Sequence, residues 1–118
     1  MNIEELRDFC LSLKEIEEKM PFDNETLTFS VKGKIFCLTN INKFKFINLK
    51  CDPEIAIELR ETYTEVTPGY HMNKKLWNSV NTQGNIPNNL IQEWIVNSYN
   101  LVIAGLSKKI QNDLKNGL

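Results

Sequence analysis

The segment LTFSVKGKIFCL, residues 27–38, decides the fold of this chain. From Leu27 to Val31 apolar and polar residues alternate, which is the pattern of a strand with one buried face. Gly33 then stands between two lysines and supplies the positive φ that a tight hairpin turn requires. Ile35–Leu38 is apolar at every position, as expected for a central strand. The segment therefore predicts an antiparallel hairpin inside a sheet.

The chain continues this hairpin into a three-stranded meander. Residues 40–42 (Asn-Ile-Asn) predict a turn, and Lys43–Leu49 predicts a third strand with Phe44 and Phe46 on one face. No acid occurs from Thr26 to Cys51, whereas five lysines do. The sheet therefore offers a polyanion an acid-free region with lysines at its turns.

Two more strands are predicted outside the meander. Glu17–Met20 predicts a short edge strand, because charged residues and a following proline are common at sheet edges. Lys75–Val80 predicts another strand, in which Trp77 shares one face with Ser79 and lies opposite Asn78.

Helices are predicted at both ends of the chain. Asn2 and Glu5 have the spacing of a capping box, and apolar residues then recur at helical spacing. Residues 87–115 predict the longest helix, which begins at a proline. Ser98 and Gly105 interrupt its apolar stripe with small side chains, which would allow close packing on the sheet or on the first helix.

A short helix is expected between strands. Asp52 before Pro53 is an N-cap followed by proline, and the helix is expected to end near Thr62. The order of helix, strands, short helix, strands and long helix predicts one domain, residues 1–118. We expect an α+β two-layer sandwich, in which the terminal helices pack on one face of an antiparallel sheet.

Composition excludes several classes of protein. A chain of 118 residues with 42% hydrophobic and 25% charged residues has ordinary values for a globular domain. No apolar run approaches the roughly 20 residues of a membrane-spanning helix, and the N-terminus lacks the pattern of a signal peptide. We therefore expect a cytoplasmic protein. The three cysteines are widely spaced and form no CxxC pair, so small hydrophobic roles are favoured over disulfides or zinc ligands: Cys10, Cys37 and Cys51.

The charges are unevenly distributed although the net charge is only −1. Residues 1–25 carry eight acids and three bases, whereas the remaining residues carry seven acids and eleven bases. A molecule with this balance is expected to bind a polyanion weakly and in a salt-sensitive manner. Glu4, Glu5 and Asp8 suit either a hard cation or the dipole of the first helix, and the dipole explains them more simply.

The segment PGYHMNKKLWN, residues 68–78, concentrates uncommon residue types, including the only histidine. A catalytic His71 needs a nucleophile or an orienting carboxylate, and the nearest acid in sequence is Glu65. No GxSxG, HExxH or phosphate-binding glycine loop occurs, so we expect neither catalysis nor a cofactor. Trp77 suits either base stacking or core packing, and the lysine pair 74–75 suits either phosphate contacts or a solvated turn.

The segment PGYHMNKKLWNSV, residues 68–80, resembles the signature of the MmcQ/YjbR family. Leu76 stands where histidine is common in that family, which weakens any scheme that needs a second histidine. Ser107 stands where proline is frequent, and neither departure affects the expected fold. The resemblance covers essentially the whole chain, with further matches at Pro21-Phe22, TLTF (26–29), GKIF (33–36), GNIP (84–87), Ser98-Tyr99 and Leu101-Val102.

The resemblance implies a frataxin-like (CyaY-like) α/β sandwich with a "double wing" arrangement that is proposed to bind DNA. The family motif marks the following candidates for the site: Tyr70, His71, Asn73, Lys74, Lys75, Trp77 and Asn78. Our first hypothesis is thus a non-enzymatic DNA-binding domain, in which lysines contact phosphates and the asparagines or histidine hydrogen-bond bases or sugars. Lysines of the predicted hairpin turns would add phosphate contacts: Lys32, Lys34, Lys43 and Lys45.

Two alternatives remain open. The corner from Tyr70 to Trp77 would serve a protein- or small-ligand-interaction module as a pocket or as a dock for an edge strand. Metal binding, by analogy with frataxin, ranks third and rests only on the acidic first helix, so no metal site is predicted. The sequence does not determine the oligomeric state, and a monomer is favoured.

Overall fold

The predicted hairpin lies within a six-stranded antiparallel sheet. The computed structural model describes residues 1–69 and 72–116. The strands pair in the order β1-β2-β3-β4-β6-β5, and every pairing is antiparallel. Their bounds are β1 Ile16–Lys19, β2 Thr26–Val31, β3 Lys34–Asn40, β4 Phe46–Lys50, β5 Val66–Pro68 and β6 Trp77–Asn81.

The described residues form four helices, which pack on one face of this sheet and complete the predicted α+β sandwich. Leu6 and Cys10 of the first helix and Ile91 and Ile95 of the third are fully buried in the core. The arrangement of terminal helices on one face is therefore confirmed. The bounds of the helices are α1 Ile3–Ser12, α2 Pro53–Thr62, α3 Asn88–Ala104 and α4 Lys108–Lys115.

Local capping signals fix the starts of two helices as the sequence predicts. Asn2 and Glu5 form a reciprocal capping box, with N–H to side-chain distances of 2.8 and 3.0 Å. The side chain of Asp52 accepts from the N–H of Glu54, and Pro53 occupies the first turn of α2.

The β2–β3 turn also follows the prediction. Gly33 has a φ of +80°, and Lys32 before it also has a positive φ, of 49°. Two consecutive positive φ values give a hairpin turn whose twist matches that of the flanking strands.

Two predicted elements have different bounds. β4 begins at Phe46 rather than at Lys43, because the side chain of Asn40 accepts hydrogen bonds from the N–H groups of Asn42 and Lys43 and forms a turn. Phe44 consequently packs against the core, whereas Phe46 is 40% exposed on the other face, so the prediction of a shared face is wrong.

The predicted helix over residues 87–115 is two helices. α3 ends at Ala104, Gly105 is its C-cap, and Ser107 caps α4 by accepting from the N–H of Ile110. Gly105 therefore ends a helix instead of allowing close packing.

Ser98 does provide the close approach that its small size predicts. It is fully buried, its hydroxyl donates to the carbonyl of Phe36 over 2.6 Å, and it accepts from the N–H of Lys50 over 2.8 Å. These bonds connect α3 to β3 and β4.

The two faces of the sheet differ sharply. Phe29 pairs with Cys37, Cys37 with Leu49, and Leu49 with Asn78, so these side chains share the face that the helices cover. The opposite face, which we call the open face, is crossed by a polar row in register, apart from one leucine: Thr28, Leu38, Asn48, Ser79 and Thr67.

Candidate nucleic-acid interface

The lysine-tryptophan segment forms a turn that leads into β6. Asn73 organises this turn, because its side chain accepts from the N–H of Lys75 and its carbonyl accepts from the N–H groups of Leu76 and Trp77. These bonds explain why β6 begins at Trp77 rather than at Lys75. Asn73 thus has a structural role in the turn.

Arg60, a residue that sequence reasoning did not single out, holds this turn against α2. Its Nε donates to Oδ1 of Asn78 over 2.7 Å, and its Nη2 donates to the carbonyl of Lys74. The amide of Asn78 also donates to the carbonyl of Ala56 over 3.4 Å. One guanidinium therefore connects a helix, a turn and a strand.

Asn78 does not suit the predicted contact with bases. Its side chain is 2% exposed, points to the helix-covered face and is occupied by Arg60 and Ala56. A buried amide with internal partners stabilises the fold and is not accessible to a ligand. Tyr70 and His71, the other two predicted contacts of this segment, lie outside the described residues.

Trp77 lies on the open face, as the alternation of β6 predicts. It pairs with Lys50 of β4, whereas its neighbour Asn78 points to the helices. Gly69 lies beside it, and its N–H donates to the carbonyl of Trp77 over 2.8 Å. A Cβ atom on Gly69 would lie 2.8 Å from the Cβ of Trp77, so only glycine fits there.

The structure divides the predicted lysines between two ends of the sheet. Successive hairpin turns lie at opposite ends, so the Lys32–Lys34 turn and the Lys43–Lys45 segment are separated by the length of β3. That strand has seven residues, which corresponds to about 20 Å. The 74–75 pair precedes Trp77 and lies at the end that carries Lys32–Lys34, because Trp77 pairs with the last residue of β4.

The lysines also differ in their partners. Nζ of Lys32 lies 3.1 Å from a carboxylate oxygen of Glu15, which offsets its charge. Nζ of Lys45 lies 5.5 Å from the ring centroid of Phe46, within the range of a cation–π contact. Lys43 lines a concavity of about 440 Å³ on the open face.

This concavity is lined mainly by polar side chains. Its walls come from β3, β4, β6 and β5 and include Asn48, Thr67 and Ser79. The hydroxyl of Ser79 donates to Oδ1 of Asn48 over 2.5 Å, which fixes the orientation of that amide. The described part of β2, β3, β4, β6 and β5 places no carboxylate on this face. Glu17 reaches it only from the edge strand, where it is paired with Lys19 at 2.7 Å.

A second concavity lies on the helix-covered side. It is an apolar groove of about 390 Å³ between α2 and α3, with Leu49 and Val80 of the sheet at its base. Ile55 and Leu59 of α2 and Leu101 of α3 are among its other lining residues. This groove is a recess that the sequence did not indicate.

The three cysteines form no disulfide. Cys10 and Cys37 are buried in the core, and all three cysteines are free. The hydrogen bond to the Cys10 thiol, together with burial, raises the pKa of Cys37 well above its ordinary value.

The acids of the first helix have a structural role. Glu5 belongs to the capping box, and residues 1–69 and 72–116 contain no group of three potential ligands from His, Cys, Asp and Glu that could hold a metal. None of the described helices has the length and apolar character needed to span a membrane.

Sequence reasoning missed most of the open face. Its side chains in β4 are Phe46, Asn48 and Lys50, and in β6 they include Ser79 and Asn81. Because side chains alternate between the two faces of a strand, the apolar Ile47 would have indicated that the side chains on either side of it in β4 lie on the open face. No local pattern indicated that β4 and β6 are neighbours.

Comparison with known proteins agrees with this fold. The chain belongs to the YjbR family, whose profile matches residues 11–101. The Escherichia coli O157:H7 relative "Uncharacterized protein YbdF" is 38% identical over 115 residues, which cover 97% of this chain and 94% of the relative. "Uncharacterized protein YjbR" of Escherichia coli strain K12 is 28% identical over 100 residues, covering 84% of this chain and 85% of that protein.

Two crystal structures share the architecture. The Deinococcus radiodurans protein DR2400, whose domain is designated DUF419, has a TM-score of 0.91 and 37% sequence identity, covering 97% of this chain and 88% of the other. A protein from Pseudomonas syringae has a TM-score of 0.74 and 25% identity, covering 86% of this chain and 98% of the other. These likenesses show that the α+β sandwich is shared with known structures.

Proposed function

We propose that this protein binds DNA without catalysing a reaction, and that the open face of the sheet is the binding surface. The observation that carries the proposal is the charge pattern of this face. Strands β2, β3, β4, β6 and β5 place no carboxylate on this face, and lysines lie at both of its ends. A polyanion therefore meets positive charge at two places about 20 Å apart, with no carboxylate from these strands between them. The acid beside the Lys43 end is Glu25, whose carboxylate accepts from the side-chain amide of Asn42.

The lysines contribute unequally. Lys43 and Lys45 are exposed near the concavity of the open face. Lys43 lines this concavity, and Lys45 contacts Phe46, which also lines it. Lys34, Lys74 and Lys75 are exposed at the other end. Lys32 contributes less, because Glu15 already balances its charge.

The affinity is expected to be modest. With a net charge of −1, the protein gains attraction only where lysines face the DNA. Each phosphate contact releases a condensed counterion, so binding weakens steeply as salt is added.

The test is fluorescence anisotropy of labelled DNA titrated with protein at several salt concentrations. Lys43→Ala/Lys45→Ala is expected to reduce the magnitude of the slope of log K against log salt by about 2, and Lys74→Ala/Lys75→Ala to reduce it similarly.

Lys108→Ala/Lys109→Ala is the matched control. It removes the same charge from exposed positions on α4, which belongs to the helix layer. Absence of binding at low salt, or equal slopes for all three double variants, would contradict the proposal.

The apolar groove between α2 and α3 favours a second candidate function, the binding of a small apolar molecule. Recesses of a few hundred Å³ lined by aliphatic side chains with a few polar groups are typical of small-molecule sites. Ile55 and Ile57 are 50% and 53% exposed on the same helix, but only Ile55 lines the groove.

This pair of isoleucines provides the test of the second candidate. Titration with anilinonaphthalene sulfonate is expected to show one saturable site, which Ile55→Asp removes and Ile57→Asp retains. Equal binding by both variants would eliminate the groove as a specific site.

A further inference from the structure

We infer that the open face takes DNA in its single-stranded form, with bases stacked on Phe46 and Trp77 and hydrogen-bonded by asparagine amides. The inference rests on the proposed DNA binding and specifies the form of the nucleic acid. Three features of the face support it: the positions of the two rings, the orientation of the amides and the absence of carboxylates between them.

The two rings lie on neighbouring strands of the same face. Phe46 pairs with Asn81 and Trp77 pairs with Lys50, so the rings are four residues apart along the strands, or about 13 Å. Phe46 is 40% exposed and Trp77 is partly exposed. Asn48 and Ser79 form the pair between them.

Aromatic rings on a sheet select unpaired bases. In a duplex the faces of the bases are covered by their stacked neighbours, and a flat sheet cannot reach them. In a single strand the bases turn outward and stack on exposed rings, which is the common mode of single-strand binding on sheet surfaces. Nζ of Lys45 lies 5.5 Å from the centroid of the Phe46 ring, so a base that stacks on this ring displaces the ammonium group, and the flexible lysine side chain can then contact the phosphate.

The amides of the open face are oriented as hydrogen-bond donors. Oδ1 of Asn40 accepts from the N–H groups of Asn42 and Lys43, Oδ1 of Asn48 accepts from Ser79, and Oδ1 of Asn81 accepts from the N–H of Gln83. Because each oxygen is turned toward a donor of the protein, the NH₂ group of the same amide points away from that donor. Within the described residues, no protein acceptor is bonded to these three NH₂ groups.

A surface that presents hydrogen-bond donors and lysine ammonium groups suits a ligand with many hydrogen-bond acceptors. Phosphates supply acceptors in every nucleotide, and thymine adds two carbonyl oxygens, O2 and O4. Oligothymidylate is therefore the appropriate probe, and it also lacks secondary structure of its own.

The experiment compares labelled single-stranded dT12 with the dA12·dT12 duplex by fluorescence anisotropy at low salt. Wild-type protein is expected to bind dT12 more tightly than the duplex. Phe46→Ala and Trp77→Ala are each expected to weaken dT12 binding roughly 5- to 150-fold and to leave duplex binding unchanged. Trp77→Phe retains a ring and is expected to restore most of the affinity.

Phe22→Ala is the matched control, because Phe22 is 67% exposed on the loop before β2 and outside the paired rows of the open face. Urea unfolding of each variant identifies losses of affinity that arise from misfolding. If Trp77→Ala is unstable, the test relies on Phe46→Ala, because Phe46 is exposed. Equal affinity for dT12 and duplex, or an effect of Phe46→Ala no larger than that of Phe22→Ala, overturns the inference but leaves DNA binding in place. Absence of binding to both probes overturns the inference and the proposed function together.

Discussion

The guanidinium of Arg60 on α2 bonds the buried amide of Asn78 on β6 at 2.7 Å. The same guanidinium donates to the carbonyls of Lys74 and Trp77 and so reaches the turn that precedes β6. It therefore fixes the position of β6, the strand that carries Trp77, relative to α2. The lysine-tryptophan segment is thus a fixed corner of the fold, and its tryptophan belongs to the open face.

We expect Arg60→Ala to lower the free energy of unfolding by about 1.5–3 kcal/mol, the range for hydrogen bonds to charged groups. Asn78→Ala should cost a similar amount, because it leaves the guanidinium without its buried partner. The double variant should cost less than the sum of the two, with a coupling energy of about 0.5–3 kcal/mol. Urea denaturation of the four proteins measures this cycle. Additive losses would show that the two residues act independently.

A second prediction concerns the dependence of stability on pH. Arg7 of α1 donates two hydrogen bonds to the carboxylate of Glu18 of β1, at 2.5 and 2.8 Å. The hydrogen bond from Arg7 lowers the pKa of Glu18 below its ordinary value of 4.5. Because the pKa is lower in the folded state, the pair stabilises the protein fully above pH 4.5. This contribution is lost as the pH falls through the lowered value.

Arg7→Ala should therefore lower the stability slightly at neutral pH, since both side chains are partly exposed. The difference from wild type should disappear at acidic pH once Glu18 is protonated in the folded protein. Urea unfolding at a series of pH values tests this, with Lys108→Ala as the control for loss of one exposed positive charge. A difference that stays constant down to acidic pH would mean that the ion pair is not its source.

Much of the fold could be predicted because its signals are local. The capping box of Asn2 and Glu5, the Asp52-Pro53 helix start and the glycine turn at Gly33 each act within four residues of sequence. The end of α3 was missed although Gly105 and Ser107 mark it. The predicted apolar stripe runs through Gly105 to Leu106, so the glycine is interpreted as a small residue of the stripe and not as a helix end.

The candidate site was less predictable, because it depends on contacts between distant residues. Asn48 and Ser79 are 31 residues apart in sequence and meet only because β4 and β6 are neighbours in the sheet. The bond of Arg60 to Asn78 likewise joins a helix to a strand 18 residues away. The sequence indicates that lysines lie on hairpin turns, but only the pairing of the strands shows that these turns lie at two ends of the sheet.

The last prediction concerns the close contact of Gly69 with Trp77. A Cβ atom at Gly69 would lie 2.8 Å from the Cβ and 3.0 Å from the carbonyl oxygen of Trp77, so backbone atoms would have to move. Gly69→Ala should therefore cost about 1–3 kcal/mol, the range for overpacking, and should displace Trp77 on the open face.

Gly105→Ala is its control. A Cβ at Gly105 would meet its nearest neighbour, the carbonyl oxygen of Val102, at an ordinary 3.5 Å, and its φ of −84° suits alanine. This substitution should be neutral or stabilise the protein by about 0.4–1 kcal/mol, because alanine restricts the unfolded chain. Urea unfolding measures both variants, and near-ultraviolet circular dichroism reports on the environment of Trp77. If the two substitutions changed stability equally, Gly69 would not be required by the packing of Trp77.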